Sequence, residues 1–278
     1  MNIFFYFECG QIPEIGTGHK YRCSALANEL AKRGHNVAFV SKDWKYEFVD
    51  VLVIDHLFSQ KELIKTARKH NTRKIVLIDG SVSDVKLADE SISAAYNDKA
   101  KYTGIDYMAF ESGLGEYDIN DKSNNVLINL GGFDANNYAD IAIEAALEFG
   151  VNAVVAKSIN HDALQEKYKD NKSVIFKAGS YWNMLKGNRA AITNGGLAFF
   201  QGLKFGMPTV CVPQYGHQYK NMKLAEECCL YSRPAKTAII ESLNKLFYND
   251  GPRKSLSVAA KSKVDGSGLY RVCDIIEK

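Results

Sequence analysis

The sequence has little of what marks the non-globular classes. Only 5 prolines are present, with no low-complexity tract and no tandem repeat, which excludes a disordered linker, a collagen-like chain and a solenoid. An excess of one charge is also missing. The 35 basic and 32 acidic residues are mixed along the chain, and no polybasic stripe suggests nucleic acid as a partner. No apolar run has spanning length, so no integral membrane segment is expected. The opening Met1-Asn-Ile-Phe-Phe-Tyr-Phe7 stops at Glu8, has no basic leader before it, and reads as a first buried strand. Cysteines at 9, 23, 211, 228, 229 and 273 lack CxxC spacing and a paired histidine motif. They read as reduced, small apolar core residues of a cytoplasmic protein, and the adjacent Cys228 and Cys229 are poorly placed to bridge each other.

What is present is a globular composition, 46% hydrophobic and 24% charged, over 278 residues, enough for two domains that each bury a core. Short β-branched runs alternate with helical patterns throughout, the pattern of parallel sheets built from βαβ units. In the first half, strands are expected at Ile3–Phe7, Asn36–Val40, Val51–Asp55, Lys74–Asp79 and Tyr107–Phe110, with helices over 18–33 and 59–70. The segment Gly113–Asn125 turns polar and glycine-containing, and the domain boundary is placed there: 1–118 and 119–278. The second half restarts with strands at Val126–Leu130, Val151–Ala156, Val174–Lys177, Ala190–Thr193 and Thr209–Val212. Helices are expected near 138–149, 161–169, 181–186, 197–205, 217–227, 236–248 and 268–277. The fold class is therefore α/β: two Rossmann-like domains facing across a cleft, with ligand expected at the carboxyl-terminal strand ends.

Several glycine-containing loops at such strand ends carry the chemistry. Glu14-Ile15-Gly16-Thr17-Gly18-His19-Lys20-Tyr21-Arg22 joins the first strand to the first helix. Gly16 and Gly18 allow close backbone approach, and the following helix start favours an anionic or developing oxyanion ligand. The six-residue dinucleotide fingerprint is absent. His19, in the first turn, faces the positive end of the helix dipole, which favours an imidazole able to accept a proton near neutral pH; a capping or surface histidine is the alternative. Arg22, one turn on, would bind an anionic group or form a structural ion pair. Gly131 and Gly132, in Leu130-Gly-Gly-Phe-Asp134, make either a phosphate approach or a tight turn with Asp134 capping the next helix. Thr193-Asn194-Gly195-Gly196-Leu197 again runs from strand to glycine turn to helix, where a diphosphate could rest, with Asn194 adding a side-chain donor or acceptor. Further on, Gln218 and Asn221 lie three apart and share a helix face.

Taken together, these segments resemble the nucleotide-sugar hydrolases of the pseudaminic acid pathway and the related spore-coat polysaccharide proteins. More distantly, the second half resembles the lipid-linked N-acetylglucosaminyltransferase of peptidoglycan synthesis. The residues that carry the resemblance are Ile15-Gly-Thr-Gly-His19-x-x-Arg22, Val53-Ile-Asp55-His56, Leu130-Gly-Gly-Phe-Asp134, Thr193-Asn-Gly-Gly196 with Gly206-Met-Pro208, Gln218-x-x-Asn221 and Val264-Asp-Gly-Ser-Gly-Leu-Tyr-Arg271. The resemblance implies a GT-B-like fold and a UDP-sugar or related nucleotide-sugar as partner. It also implies no metal or other cofactor, in line with the absence of an Asp-x-Asp motif. By the same likeness His19 activates the attacking water, Gly195 and Gly196 approach the diphosphate, and the backbone near Tyr181 faces the base. Gln218 and Asn221 would reach phosphate or sugar, and Gln201 stands where relatives carry a glutamate that holds the ribose hydroxyls. This chain departs at Leu57 and Phe58, where those hydrolases tend to show a tyrosine after the Asp-His pair, and at Tyr6, which replaces a basic residue.

These observations leave three functions open. The first is hydrolysis of a UDP-linked deoxy-amino sugar at the anomeric carbon, serving surface glycan or nonulosonic acid synthesis. The second is an inverting glycosyl transfer, in which His19 deprotonates an acceptor hydroxyl instead of water. The third is a catalytically silent nucleotide-sugar-binding protein. A transferase would need an exposed apolar or basic acceptor patch on the first domain, for which Trp44-Lys45-Tyr46-Glu47-Phe48-Val49 is the candidate.

Overall fold

The computed structural model describes residues 1–9, 16–44, 48–95, 97–111, 113 and 115–278. Glu14 and Ile15 of the first glycine loop, and Lys45, Tyr46 and Glu47 of the candidate acceptor patch, lie outside the described residues. The chain forms two compact units, Met1–Glu111 with Gly266–Lys278, and Ser112–Asp265.

The first unit is built from β1 (Asn2–Phe7), α1 (Gly18–Lys32), β2 (Asn36–Val40), β3 (Val51–Asp55), α2 (Lys61–Lys69), β4 (Lys74–Ile78), β5 (Glu90–Ser93) and β6 (Tyr102–Thr103). Its sheet runs β2-β1-β3-β4-β5-β6, with every pairing parallel. β3 is buried along its whole length, as a central parallel strand covered on both faces should be. Alternation divides its side chains. Val51 and Val53 join Ile3, Phe5, Cys23 and Leu26 in one core, while Leu52 and Ile54 join Tyr6, Leu63, Ile64 and Ala67 in the other.

The second unit repeats the scheme with β7 (Asn125–Asn129), α3 (Tyr138–Phe149), β8 (Asn152–Ala156), α4 (Asp162–Lys167), β9 (Val174–Lys177), α5 (Tyr181–Leu185) and β10 (Ala190–Thr193). There follow α6 (Leu197–Phe205), β11 (Thr209–Cys211), α7 (Gly216–Leu224), β12 (Cys229–Tyr231), α8 (Lys236–Phe247) and α9 (Asp250–Lys263). Its parallel sheet runs β12-β11-β10-β7-β8-β9. The last helix, α10 (Gly268–Glu277), returns to the first unit. Its Leu269, Val272, Cys273 and Ile276 pack with Ile3, Phe5 and Leu26, so the residues after 265 complete the first core rather than the second.

One expected strand, Tyr107–Phe110, is corrected. The buried run Met108, Ala109 and Phe110 is not a strand: Ile105–Tyr107 is a 3-10 turn, and the backbone beyond it joins no sheet. The run is apolar because α10 covers it; a Cβ on Gly268 would collide with the Met108 backbone. The strands of that region are instead β5 and β6, whose Glu-Ser-Ile-Ser and Tyr-Thr sequences are short and polar.

Candidate functional site

In the first unit the carboxyl-terminal ends of β1, β3 and β4 meet the start of α1. His19 and Arg22 are one helical turn apart and so share a face, and both reach Asp55, the last residue of β3. His19 Nδ1 lies 2.6 Å from Asp55 Oδ1. Arg22 holds the same carboxylate with two donors, Nε to Oδ2 at 2.8 Å and Nη2 to Oδ1 at 2.5 Å, and donates Nη1 to Asp79 Oδ2 at 2.5 Å. All four side chains are buried, Asp55 completely. Burial alone would raise the Asp55 carboxyl, but the Arg22 and His19 charges and hydrogen bonds outweigh it and hold the group well below the ordinary carboxylate range. Asp55 is therefore an anion, and its hydrogen bond to His19 keeps a ring proton on Nδ1; in the neutral imidazole the lone pair is then on Nε2. Asp79 has a left-handed backbone, φ 53°, unusual for a residue with a Cβ. Its amide donates to Ile92 O at 2.9 Å, and its carboxylate accepts from Ser93 Oγ at 2.9 Å as well as from Arg22, which together hold it there. A Cβ at Gly16 would meet nothing within 4 Å, so packing among the described residues does not account for this glycine.

The second unit organises its strand ends with neutral amides. Asn194, after β10, donates Nδ2 to Leu130 O at 2.6 Å and accepts from Gly196 N at 3.0 Å. Gln214 donates Nε2 to the same Leu130 carbonyl at 3.1 Å, and its own backbone N–H is taken by Gln218 Oε1 at 2.8 Å. Asn221 Nδ2 donates to Gly195 O at 2.8 Å. These bonds tie the loops after β7, β10 and β11 into one platform. The glycines follow from that closeness: Gly195, φ 81°, would place a Cβ 2.6 Å from Gln218 O, and Gly131, φ 95°, would place one 2.8 Å from Asn194 Nδ2. Gly131 O also accepts Ser158 Oγ at 2.6 Å, and Gly132 O accepts Ile159 N at 3.0 Å. Asp134 caps α3 through the Tyr138 and Ala139 amides at 3.1 and 2.7 Å.

Each expected site residue can now be placed. His19 sits in the first turn of α1, and of the two roles open to Arg22 the geometry supplies the ion pair. Gly18 opens α1. Asn194, Gln218 and Asn221 are engaged within their own unit and act on the loops that carry Gly195 and Gly196. Gln201, half-buried on α6, makes no side-chain hydrogen bond among the described residues. Tyr181 opens α5 with a buried hydroxyl that has no partner among the described residues, and burial pushes that phenol up. The sequence argument did not single out Asp55 or Asp79 as site residues. The detectable signal was an acidic residue ending a fully apolar strand, Leu52-Val-Ile-Asp55, with a second in Leu77-Ile-Asp79 on the neighbouring strand. Of the candidate acceptor patch, Val49 is buried, Trp44 packs on Phe4 with centroids 5.5 Å apart, and Phe48 is exposed beneath the Arg73 guanidinium. Among the described residues no group of three His, Cys, Asp or Glu side chains could hold a metal ion, and no helix is long and apolar enough to cross a membrane.

No family model matches the chain. It is distantly homologous to the spore coat polysaccharide biosynthesis protein SpsG of Bacillus subtilis, with 23% identity over 269 residues, 86% of this chain and 79% of that protein. It is 24% identical over 324 residues to an uncharacterized protein of Methanocaldococcus jannaschii, spanning 95% of this chain and 64% of that one. Among solved structures it is similar to Acinetobacter baumannii MurG, with TM-score 0.67, 14% identity and 99% of both chains covered. The S. aureus MnaA–UDP co-structure gives TM-score 0.70 at 11% identity, over 99% of this chain and 96% of that one. The glycosyltransferase of kitacinnamycin gives 0.69 at 14%, over 99% and 98%. The shared fold is the two-unit α/β fold of GT-B glycosyltransferases.

Proposed function

We propose that the chain is a nucleotide-sugar enzyme acting at the anomeric carbon, in which His19 takes the proton of an attacking hydroxyl while the nucleoside diphosphate departs, with inversion. The observation that carries this reading is the buried His19–Asp55 pair at a carboxyl-terminal strand end. An imidazole whose Nδ1–H is held by an ionised carboxylate presents Nε2 as base, and the same carboxylate stabilises the imidazolium that forms. Arg22 keeps Asp55 ionised and in place, and the space left at Gly16 among the described residues suits close approach of the reacting sugar. In the second unit, the amide-tied loops present the start of α6 for the diphosphate, whose developing charge the helix end stabilises. The UDP in the MnaA co-structure supports UDP as the nucleotide; the resemblance in sequence would put Gln201 toward its ribose and the backbone near Tyr181 toward its base.

The attacking hydroxyl belongs to an acceptor, so the reaction is a glycosyl transfer; the glycosyltransferases among the structural neighbours support this. Hydrolysis of a UDP-linked deoxy-amino sugar is the second reading. It is favoured by the resemblance of Gly16-Thr-Gly-His19-x-x-Arg22 and Asp55-His56 to those hydrolases; of these residues His19, Arg22 and Asp55 gather in one cluster. Either product would serve surface polysaccharide synthesis, in line with the spore coat polysaccharide role of SpsG, and either donor would be met in the cytoplasm. The test is nucleotide release from UDP-, GDP- and CMP-sugars, with and without carbohydrate acceptors. Release without acceptor that is lost in His19→Ala establishes hydrolysis, and release only with acceptor establishes transfer. Failure to bind any of the nucleotides would overturn both.

A further inference from the structure

On the other face of β3 from Asp55, the next residue organises a second cluster that the proposed chemistry does not use. His56 Nε2 lies 3.1 Å from Glu8 Oε2, just past the end of β1. Around its Nδ1 lie the Phe58 amide, the Phe58 carbonyl and the Gln60 side chain, each at 3.1 Å, while Nε2–H is donated to the Glu8 carboxylate. Glu8 Oε1 accepts from Tyr6 OH at 2.6 Å and from Lys42 Nζ at 3.1 Å. The Tyr6 hydrogen bond, with those of His56 and Lys42 against a smaller burial penalty, lowers the Glu8 carboxyl to about 2. The Tyr6 ring stacks on His56, and the Phe58 ring, 48% exposed, lies 5.9 Å from the imidazole.

This is an oriented carboxylate rather than a surface charge. Three donors occupy three of its roughly four lone-pair positions, and its side chain remains 25% exposed. Lys42 already balances its charge, so a cationic ligand is not called for. An uncharged donor beside an exposed aromatic face is what the remaining lone pair and the Phe58 ring would accept. The strand register places Phe7 opposite Asp55, so the cluster and the His19–Asp55 pair occupy the same end of neighbouring strands.

We propose that Glu8 and Phe58 form a carbohydrate subsite beside the His19–Asp55 pair, with the carboxylate accepting a pyranose hydroxyl and the Phe58 ring covering the sugar's C–H face. The subsite rests on the reading of that pair as the base in a sugar-transferring reaction. The pyranose belongs either to the donor or to the acceptor, and one experiment separates the two. Saturation-transfer NMR is run with methyl glycosides of glucose, N-acetylglucosamine, rhamnose and N-acetylfucosamine, with and without UDP, while calorimetry compares UDP with UDP-glucose and UDP-N-acetylglucosamine.

At least one pyranose should bind, and its affinity should fall about tenfold in both Glu8→Gln and Phe58→Ala while UDP affinity stays as in the wild type and both variants still unfold in a single cooperative transition above the assay temperature. A free glycoside that binds together with UDP identifies the acceptor; a gain seen only when the sugar is joined to UDP identifies the donor. If UDP binds and no pyranose depends on Glu8 and Phe58, the subsite is overturned. If pyranoses bind in this way and no nucleotide does, the nucleotide-sugar reading fails and the subsite stands.

Discussion

The two units share a topology but differ in how they finish it. At the carboxyl-terminal end of its sheet the first unit buries charge: one guanidinium, one imidazole and two carboxylates within a single set of hydrogen bonds. The second unit does the corresponding work with Asn194, Gln214, Gln218 and Asn221, all neutral, and with glycines set where the loops touch. A buried carboxylate that must stay ionised can orient and answer a proton, which a base requires. A neutral platform leaves backbone amides and a helix end as the charge-bearing features, which suits an anion that must be held and released. The difference also sets what each unit risks. Removing one member of the ionic set strands a buried charge, whereas removing one amide leaves at most unpaired dipoles.

The harshest test of this contrast is Arg22→Met, which leaves Asp55 and Asp79 without their shared cation. It should cost about 3–5 kcal/mol of stability in denaturant unfolding. Arg22→Lys should recover only part of it, since a single ammonium cannot reproduce the guanidinium fork. A Met variant as stable as the parent would mean that the ionic set is not what holds this end of the sheet. Next in size is His19→Ala, expected to lower turnover by about 100- to 10,000-fold while leaving UDP affinity within twofold, because the base and the platform lie on different units. Asn194→Ala, the matching change in the second unit, removes ties to Leu130 and Gly196 and should cost about 1–3 kcal/mol together with a loss of UDP affinity. Gly195→Asp is a poorer probe of ligand contact, since its Cβ would already press on the Gln218 carbonyl.

Acid should separate the units as well. A carboxyl depressed by folding stabilises above its ordinary range and loses that contribution as pH falls through the folded value. Asp55 and Glu8 are both depressed and both belong to the first unit, with Glu8 shifted from 4.5 to about 2. Trp44 and Trp182, the two tryptophans of the chain, stand one in each unit. Denaturant melts followed by each fluorophore, in Trp182→Phe and Trp44→Phe variants, should therefore show the first unit weakening more steeply between pH 4.5 and 2. Glu8→Gln should flatten its part of that slope. Equal slopes at both tryptophans would break the comparison.

The scaffold was readable where periodicity was strong. Tyr138–Phe149, Leu197–Phe205 and Gly268–Glu277 begin and end where their apolar stripes and glycines indicate. α9 was missed because Gly251-Pro252 reads as a turn, although proline is tolerated in a first helical turn. β5 and β12 were missed because one short strand is polar and the other has three residues; only their neighbours in the sheet define them. The placement of α10 is a long-range fact, decided by a core that Ile3 and Phe5 open and Val272 and Ile276 close. His19 was legible because loop and helix start are local. Asp55 and Asp79 were not, because their roles depend on which strands lie side by side and on which helix face looks at them. For the amides the structure adds a second role: a polar side chain in a glycine loop is as well suited to holding the loop as to holding a ligand, and the sequence pattern is the same for both.

The mildest change bears on Gln201, whose side chain has no hydrogen bond among the described residues to lose. If its amide faces the ribose, as proposed, it accepts one hydroxyl proton through an uncharged carbonyl. Gln201→Glu would convert that into a charge-assisted bond of similar length while altering little else in the unit. UDP should then bind about 3- to 10-fold more tightly by calorimetry, with unfolding unchanged within about 0.5 kcal/mol. A deoxyribose nucleotide such as thymidine diphosphate, which offers one hydroxyl fewer, should gain less. Equal gains for both nucleotides would place Gln201 away from the 2′ position, and no gain for either would take it out of the site, leaving nucleotide selection to backbone contacts alone.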